Sequence, residues 1–437
     1  MTKYFISMVS FFCFTISVYT QELTRRASFE AKISWPDNKI PGAKIQEIIK
    51  NSPLDKAGFV ENDIIIKVNN RLIKNSEDWS AILYAIKSDQ ETTIEVKRGG
   101  VLIKKNVQLK PLPKENNEGV DTLYEDIVTD FGIRQRVIIT KPKEKTKLPA
   151  IFLIQGLSCS SVEKYSGRSN NWVKLIKDLA EKSNMVFIRI EKPGVGDSEG
   201  DCGTTDFITE LNGYESAVKM LRSKPYIDTT KVVVYGNSMG SAIAPYLANK
   251  YNLAGVISDG TFFKSWYEHM LEIERRILEI EGKSQKEIYD LMNTVYIPLY
   301  YKMLIEKKSY QKILEENPLY TQYHRQGLQH MYGRPMKYYH QLQDFNFAGE
   351  WEKIKVPVRI RWGTNDWIMS ETDNDMIVEV LKKSGNQDYK LYKYPDLDHW
   401  STIHKDYSSS YNFKPGEWDD MISRQIIDWA REIIDRK

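Results

Sequence analysis

The sequence predicts an α/β protein: a mostly parallel sheet flanked by helices and interrupted by a helical insertion, preceded by a small α+β unit rich in strands. Three observations carry this. Lys231-Val232-Val233-Val234-Tyr235 is a run of strand formers that turns through Gly236-Asn237-Ser238-Met239-Gly240 into a small-residue helical run, 241–248. Two later apolar runs, 356–363 and 389–394, have strand length and end in polar turns. Between residues 261 and 351 the apolar residues recur at helical spacing instead, as in 268–281 and 286–307.

In chain order, residues 1–20 read as a signal peptide. Lys3 supplies the positive end, residues 5–18 form the apolar run, and the cut falls near Gln21. The run is too short for a comfortable bilayer span, and no later stretch is apolar for long enough. Phe12 ahead of Cys13 argues against a lipid-attachment site. The mature chain is therefore expected to be soluble and secreted or periplasmic, with no membrane span after cleavage. At 437 residues and 41% hydrophobic, it has material for more than one core. Its 62 Lys and Arg against 59 Asp and Glu leave a net charge of +3, too weak a basic field to argue for nucleic acid. His269, His324, His330 and His340 lack metal-ligand spacing, and Gly194-Val195-Gly196 lacks the third glycine of a dinucleotide turn. No cofactor and no metal are expected.

Residues 28–113 form a unit of their own. Asn51-Ser52-Pro53-Leu54-Asp55-Lys56-Ala57-Gly58 is a turn into a short helix, and Asn62-Asp63-Ile64 opens a strand that reaches the Val68-Asn69-Asn70 hairpin. A helix over 76–86 and a strand over 91–98 follow. Together these motifs resemble a bacterial PDZ domain, which implies capture of an extended protein or peptide segment as an added strand. The stretch aligned with the carboxylate-binding loop, Ser28-Phe29-Glu30-Ala31, has no glycine, and Glu30 would repel a carboxylate. Peptide capture and a purely structural docking role both stay open. The charged, proline-containing stretch 110–119 reads as a connection, with the linker at 114–120 and the larger domain over 121–437.

Chemistry is concentrated around Ser238. Glycines on both sides permit a turn tight enough to lift its hydroxyl above the sheet edge. A serine needs a base to take its proton, and the base needs a carboxylate to orient it. Asp366, after the strand 356–363, and His399, after the strand 389–394, stand at the same sheet edge in the order serine, acid, histidine. Asp366 also has the makings of a helix N-cap, His404 is a rival base, and Asp398 suits a loop-capping role.

From residue 121 to the C-terminus the chain resembles the α/β-hydrolase family. The resemblance rests on this elbow, on the strand that ends in Gln155-Gly156, and on Glu191-Lys192-Pro193-Gly194-Val195-Gly196-Asp197-Ser198-Glu199-Gly200, with Lys192 where the family has arginine. It implies a catalytic triad of Ser238, Asp366 and His399. It also implies an oxyanion hole from the N–H groups of Met239 and Leu157, although Gln155 replaces the usual histidine. The resembled fold sets the loops carrying Cys159 and Cys202 side by side, which implies a disulfide in an oxidising compartment; two free thiols are the alternative. Residues 261–351 would form a cap, with its tyrosines lining a pocket or packing the cap down. Arg334 is a candidate for a substrate anion, and Glu272, Glu274 and Glu281 are candidates for a substrate ammonium. The expected substrate is a small-molecule or short-peptide acyl compound. Ester hydrolysis, peptidase action and an inactive peptide-binding protein remain as readings.

Overall fold

The computed structural model describes residues 22–34, 41–143, 147–164, 170–323 and 330–436. The expected signal peptide and Cys13 lie outside these residues, as does His324.

The first unit contains β1 (Ala27–Ser28), β2 (Ala31–Ile33), β3 (Ala43–Ile48), α1 (Pro53–Lys56), β4 (Ile64–Val68), β5 (Arg71–Leu72), α2 (Ser76–Ala85), β6 (Glu91–Arg98), β7 (Val101–Gln108) and β8 (Lys110–Pro111). Its sheet runs β2-β3-β4-β6-β7, with β5 on β4. Strand alternation turns Ile94 and Val96 inward, and a register shift between Ile65 and Lys67 lets both Ile65 and Val68 join them in one core with Trp79, which packs on Phe29 at 5.3 Å. β1 pairs with β8 and closes the unit.

The second unit opens with β9 (Val120–Val128), β10 (Arg134–Pro142), β11 (Leu148–Ile154), α3 (Asn171–Lys182), β12 (Val186–Ile190), α4 (Phe207–Arg222), β13 (Ile227–Asn237), α5 (Met239–Tyr251) and β14 (Gly255–Asp259). The helical insertion follows: α6 (Trp266–Ile280), α7 (Gln285–Leu291), α8 (Ile297–Tyr300), α9 (Tyr310–Glu316), the hairpin β15 (His330–Met331) and β16 (Arg334–Pro335), α10 (Met336–Asp344) and α11 (Phe347–Lys353). β17 (Val358–Gly363), α12 (Glu371–Lys383), β18 (Tyr389–Tyr394), α13 (Tyr407–Tyr411) and α14 (Met421–Ile434) complete the chain.

Eight strands form one sheet in the order β18-β17-β14-β13-β11-β12-β10-β9. The pairs β9–β10 and β10–β12 are antiparallel; all the others are parallel. Parallel strands buried on both faces read as unbroken apolar runs, and β11 divides its side chains accordingly. Ile151 and Leu153 face α3 and α14, whereas Ala150, Phe152 and Ile154 face α4, α5 and the insertion.

Two sequence expectations change here. The helix expected over 286–307 is broken by π-helical turns at Met292–Tyr296 and Tyr301–Ile305, on either side of α8. Pro298 has no N–H to donate within this segment, which favours a wider turn. The expected linker is packed against the hydrolase unit: Glu115 and Asn117 are buried, and Glu115 receives Arg189 at 2.9 Å.

Candidate active site

Ser238 stands between β13 and α5 with φ +55° and ψ −126°, a conformation that side chains other than glycine rarely adopt. Its amide donates to Asp259 O at 2.9 Å, and its carbonyl accepts Ser241 N–H at 2.9 Å. The flanking glycines are obligatory. A Cβ at Gly236 would lie 2.3 Å from Gly240 O, and one at Gly240 would lie 2.0 Å from Ile154 O. No side chain fits inside those distances.

Three further strand ends converge on this hydroxyl. His399, beyond β18, has Nε2 2.9 Å from Ser238 Oγ. Asp366, beyond β17, has Oδ2 2.8 Å from His399 Nδ1. In the neutral resting form, the serine hydroxyl donates to Nε2 and Nδ1–H donates to the carboxylate. Burial opposes a charge on His399, but the Asp366 charge and hydrogen bond outweigh it and raise the pKa above its ordinary 6.5. Asp366 is not a helix N-cap, but its Oδ1 accepts the N–H groups of Ile368 and Met369 in the turn, each at 2.9 Å. Those bonds hold the carboxylate on the histidine side of the turn; the N-cap of α12 itself is Ser370.

Beyond β11, Gly156 lies against the nucleophile: a Cβ there would be 2.9 Å from Ser238 Cβ. Leu157 follows it, and Met239 N–H opens α5, where a helix leaves its first amides without intrahelical partners. The two expected oxyanion donors thus flank the serine. Cys159 and Cys202 are joined, with Cα atoms 6.0 Å apart, which ties this loop to the turn after β12.

Residues 162–406 match the model of the serine aminopeptidase, S33, family. The chain belongs to that family. Residues 18–109 match the PDZ domain model, so this S33 chain carries a PDZ domain ahead of its hydrolase fold. Esterase EstD of Thermotoga maritima is 21% identical over 295 residues, covering 67% of this chain and 64% of its own length. Serine protease Do-like HtrB of Bacillus subtilis is 40% identical over 60 residues, 14% of this chain and 13% of its own. A probable periplasmic serine endoprotease, DegP-like, of Chlamydia pneumoniae is 30% identical over 125 residues, 29% of this chain and 24% of its own. The chain thus spans less than two thirds of the length of each of these relatives. An esterase of Pyrococcus furiosus aligns with a TM-score of 0.45 at 13% identity, over 74% of this chain and 96% of its own.

Other expected site residues of this S33 chain are engaged elsewhere. His404 is paired with a different carboxylate: its Nε2 lies 3.1 Å from Asp398 Oδ2. Asp398 also accepts Trp400 N–H at 2.9 Å and Thr402 N–H at 2.8 Å, so the pair braces the loop that carries His399. The sequence signals that brace only as a capping aspartate. Arg334, the candidate for a substrate anion, is fully buried and bound to Glu210, with Cys202 O at 2.8 Å. Glu272 is bridged to Lys264 and Arg276, Glu274 accepts Tyr300 OH, and Glu281 accepts Tyr411 OH. Of the tyrosine-rich stretch, Tyr296 and Tyr323 line a cap cavity of about 450 Å³ that includes none of the triad residues. Tyr338 and Tyr339 pack the cap instead, buried against Phe207 and Trp266.

Proposed function

We propose that the mature protein is an exported serine hydrolase that cleaves carboxylic esters through an acyl-enzyme. The observation that carries the reading is the continuous chain from Asp366 through His399 to Ser238, at 2.8 and 2.9 Å. Ser238 Oγ attacks the acyl carbon as His399 Nε2 takes its proton. The Leu157 and Met239 N–H groups receive the oxyanion, and each such donor is worth about two to three decades in rate. His399 returns the proton to the leaving oxygen. Water then enters, is deprotonated by the same nitrogen, and releases the acid while Ser238 recovers its proton.

The ester preference draws on the relative named as an esterase. It draws also on the cap acids, since Glu272, Glu274 and Glu281 already hold protein partners and are poorly placed to grip an ammonium. The family's description as serine aminopeptidase favours the second reading, peptide cleavage by the same triad. Wild type and Ser238→Ala, treated with a fluorophosphonate probe and then assayed on p-nitrophenyl esters and aminoacyl p-nitroanilides, separate these. Labelling of wild type alone with faster ester turnover is expected. Faster anilide turnover would hand the case to the peptidase, and an unlabelled wild type would leave a peptide-binding protein.

Export also fits the Cys159–Cys202 pair. Thiol titration of unfolded, unreduced protein should find no reactive cysteine in the mature chain, and reduction should cost about 2–4 kcal/mol of stability. Two titratable thiols would remove the disulfide. For the PDZ domain, a docking role draws support from its seam with the hydrolase unit. There Lys87 donates to Ser198 O at 3.1 Å and Tyr84 packs on Val195 and Cys202. Glu30 is paired with Lys110 at 2.9 Å, which tempers its repulsion of a peptide carboxylate.

A further inference from the structure

Lys192 has no role in the mechanism above, yet its position is costly. Its side chain is 1% exposed, and an ammonium is rarely buried without a purpose that repays its desolvation. Three acceptors surround Nζ: Gly156 O at 2.5 Å, Leu157 O at 3.1 Å and Glu210 Oε1 at 3.1 Å. Burial and the neighbouring Arg334 charge push the lysine pKa well down. Even so, the Glu210 carboxylate at ion-pair distance favours the charged form, while Nζ donates to the two carbonyl oxygens. Glu210, on α4, is held in turn by Arg334 from the cap strand β16 and by Tyr338 OH at 3.3 Å.

The first of those acceptors has a particular consequence. Gly156 C=O and Leu157 N–H belong to one peptide unit, and no peptide bond among the described residues is cis. In a planar trans unit the two groups point in opposite directions. An ammonium bound to the oxygen therefore turns the N–H away from Lys192. No hydrogen-bond partner holds that N–H among the described residues. Gly156 itself lies against Ser238. Were the unit to flip, a carbonyl oxygen would face the developing oxyanion instead of a donor. Withdrawal of electron density by the cation also strengthens the N–H as a donor.

We propose that Lys192 is a positioning residue that locks and polarises the Gly156–Leu157 peptide, so that Leu157 N–H is held ready as an oxyanion donor, with Glu210 and Arg334 anchoring the lysine from the cap side. The inference rests on the acyl-transfer reading of Ser238. It gives the basic side chain at this position a defined task, and it makes the cap hairpin part of the support of the oxyanion hole.

The test compares the full mature chain with Lys192→Met and Lys192→Arg. In Lys192→Met, kcat on a p-nitrophenyl ester is expected to fall about 10- to 100-fold, short of the full loss of one oxyanion donor because the Leu157 N–H is misplaced rather than removed, while KM stays within about threefold. Affinity for a trifluoromethyl ketone, whose carbonyl carbon bonds to Ser238 Oγ and leaves an oxyanion, should fall by the same factor. Lys192→Arg should recover most of both. A merely structural lysine would lower the melting temperature and raise KM without that match, and kcat within about twofold of wild type would overturn the proposal. Should Lys192→Met fail to fold, a crystal structure of the wild-type ketone adduct decides. Its oxyanion is expected within about 3.1 Å of Leu157 N, with Nζ still on Gly156 O. An adduct whose oxygen lies elsewhere refutes the lysine's role but leaves the triad standing. If the ketone forms no adduct, acyl transfer and this proposal fall together.

Discussion

Replacing Asp366 by asparagine is expected to cut kcat about 10⁴-fold while the fold survives. The asparagine Oδ1 can still accept the N–H groups of Ile368 and Met369, so the turn after β17 keeps its bonds. What changes is the atom facing the histidine. An amide NH₂ in place of Oδ2 donates to Nδ1, which forces the proton onto Nε2, 2.9 Å from Ser238 Oγ. That tautomer cannot take the serine's proton. The pH profile should move as well. In wild type the raised His399 pKa places the acid limb of kcat/KM above 6.5, since activity is lost as pH falls and the imidazole charges. Without the Asp366 charge, burial is left to dominate, against only the lesser pull of Asp398 and Asp259, and the limb should move to lower pH. Steady-state rates from about pH 5 to 9 on both proteins check this. A loss under about tenfold with an unmoved limb would take Asp366 out of the triad.

The elbow was legible because its constraint is local. Gly236 and Gly240 are dictated by backbone atoms only a few residues or one strand away, and a strand–turn–helix pattern announces such a turn. Asp366 and His399 were legible because each follows its strand directly. Arg334 was misread for the opposite reason: its partner Glu210 stands 124 residues earlier, on a helix whose burial no local pattern reveals. The packing of the linker was hidden likewise, since Glu115 is drawn down by Arg189, 74 residues further on. Composition marks a charged stretch as exposed until a distant opposite charge meets it. Lys192 falls between these cases. The motif exposed the substitution, but only the placement of Gly156 O gave it a task.

Glu163→Gln is expected to destabilise the protein by about 3–5 kcal/mol, far more than any surface pair would. Glu163 is 1% exposed and gathers Arg26 at 2.8 Å, Arg25 at 3.0 Å and the Tyr124 hydroxyl. The same arginine pair leans on Asp197, itself wholly buried and shared between Arg25 at 2.9 Å and Arg136 at 3.0 Å. A glutamine keeps the volume but removes the carboxylate charge that Arg25 and Arg26 share, in a cluster whose side chains are 11% exposed or less. The contrast is Lys286–Asp290, with side chains 78% and 50% exposed, where Asp290→Asn should cost under about 1 kcal/mol because solvent screens the pair. Urea unfolding of the three proteins measures both values. The larger loss should also be regional. Arg25 and Arg26 precede β1, and Arg26 O accepts Leu112 N–H at 2.8 Å, so these arginines tie the PDZ domain to the hydrolase unit. In Glu163→Gln the seam should open before the eight-stranded sheet does, and limited proteolysis should cut near residues 22–26 or 114–120 while the hydrolase fragment persists. A single cooperative transition shifted by less than about 1 kcal/mol would show instead that the cluster is solvated in solution and that the seam is held by its apolar contacts.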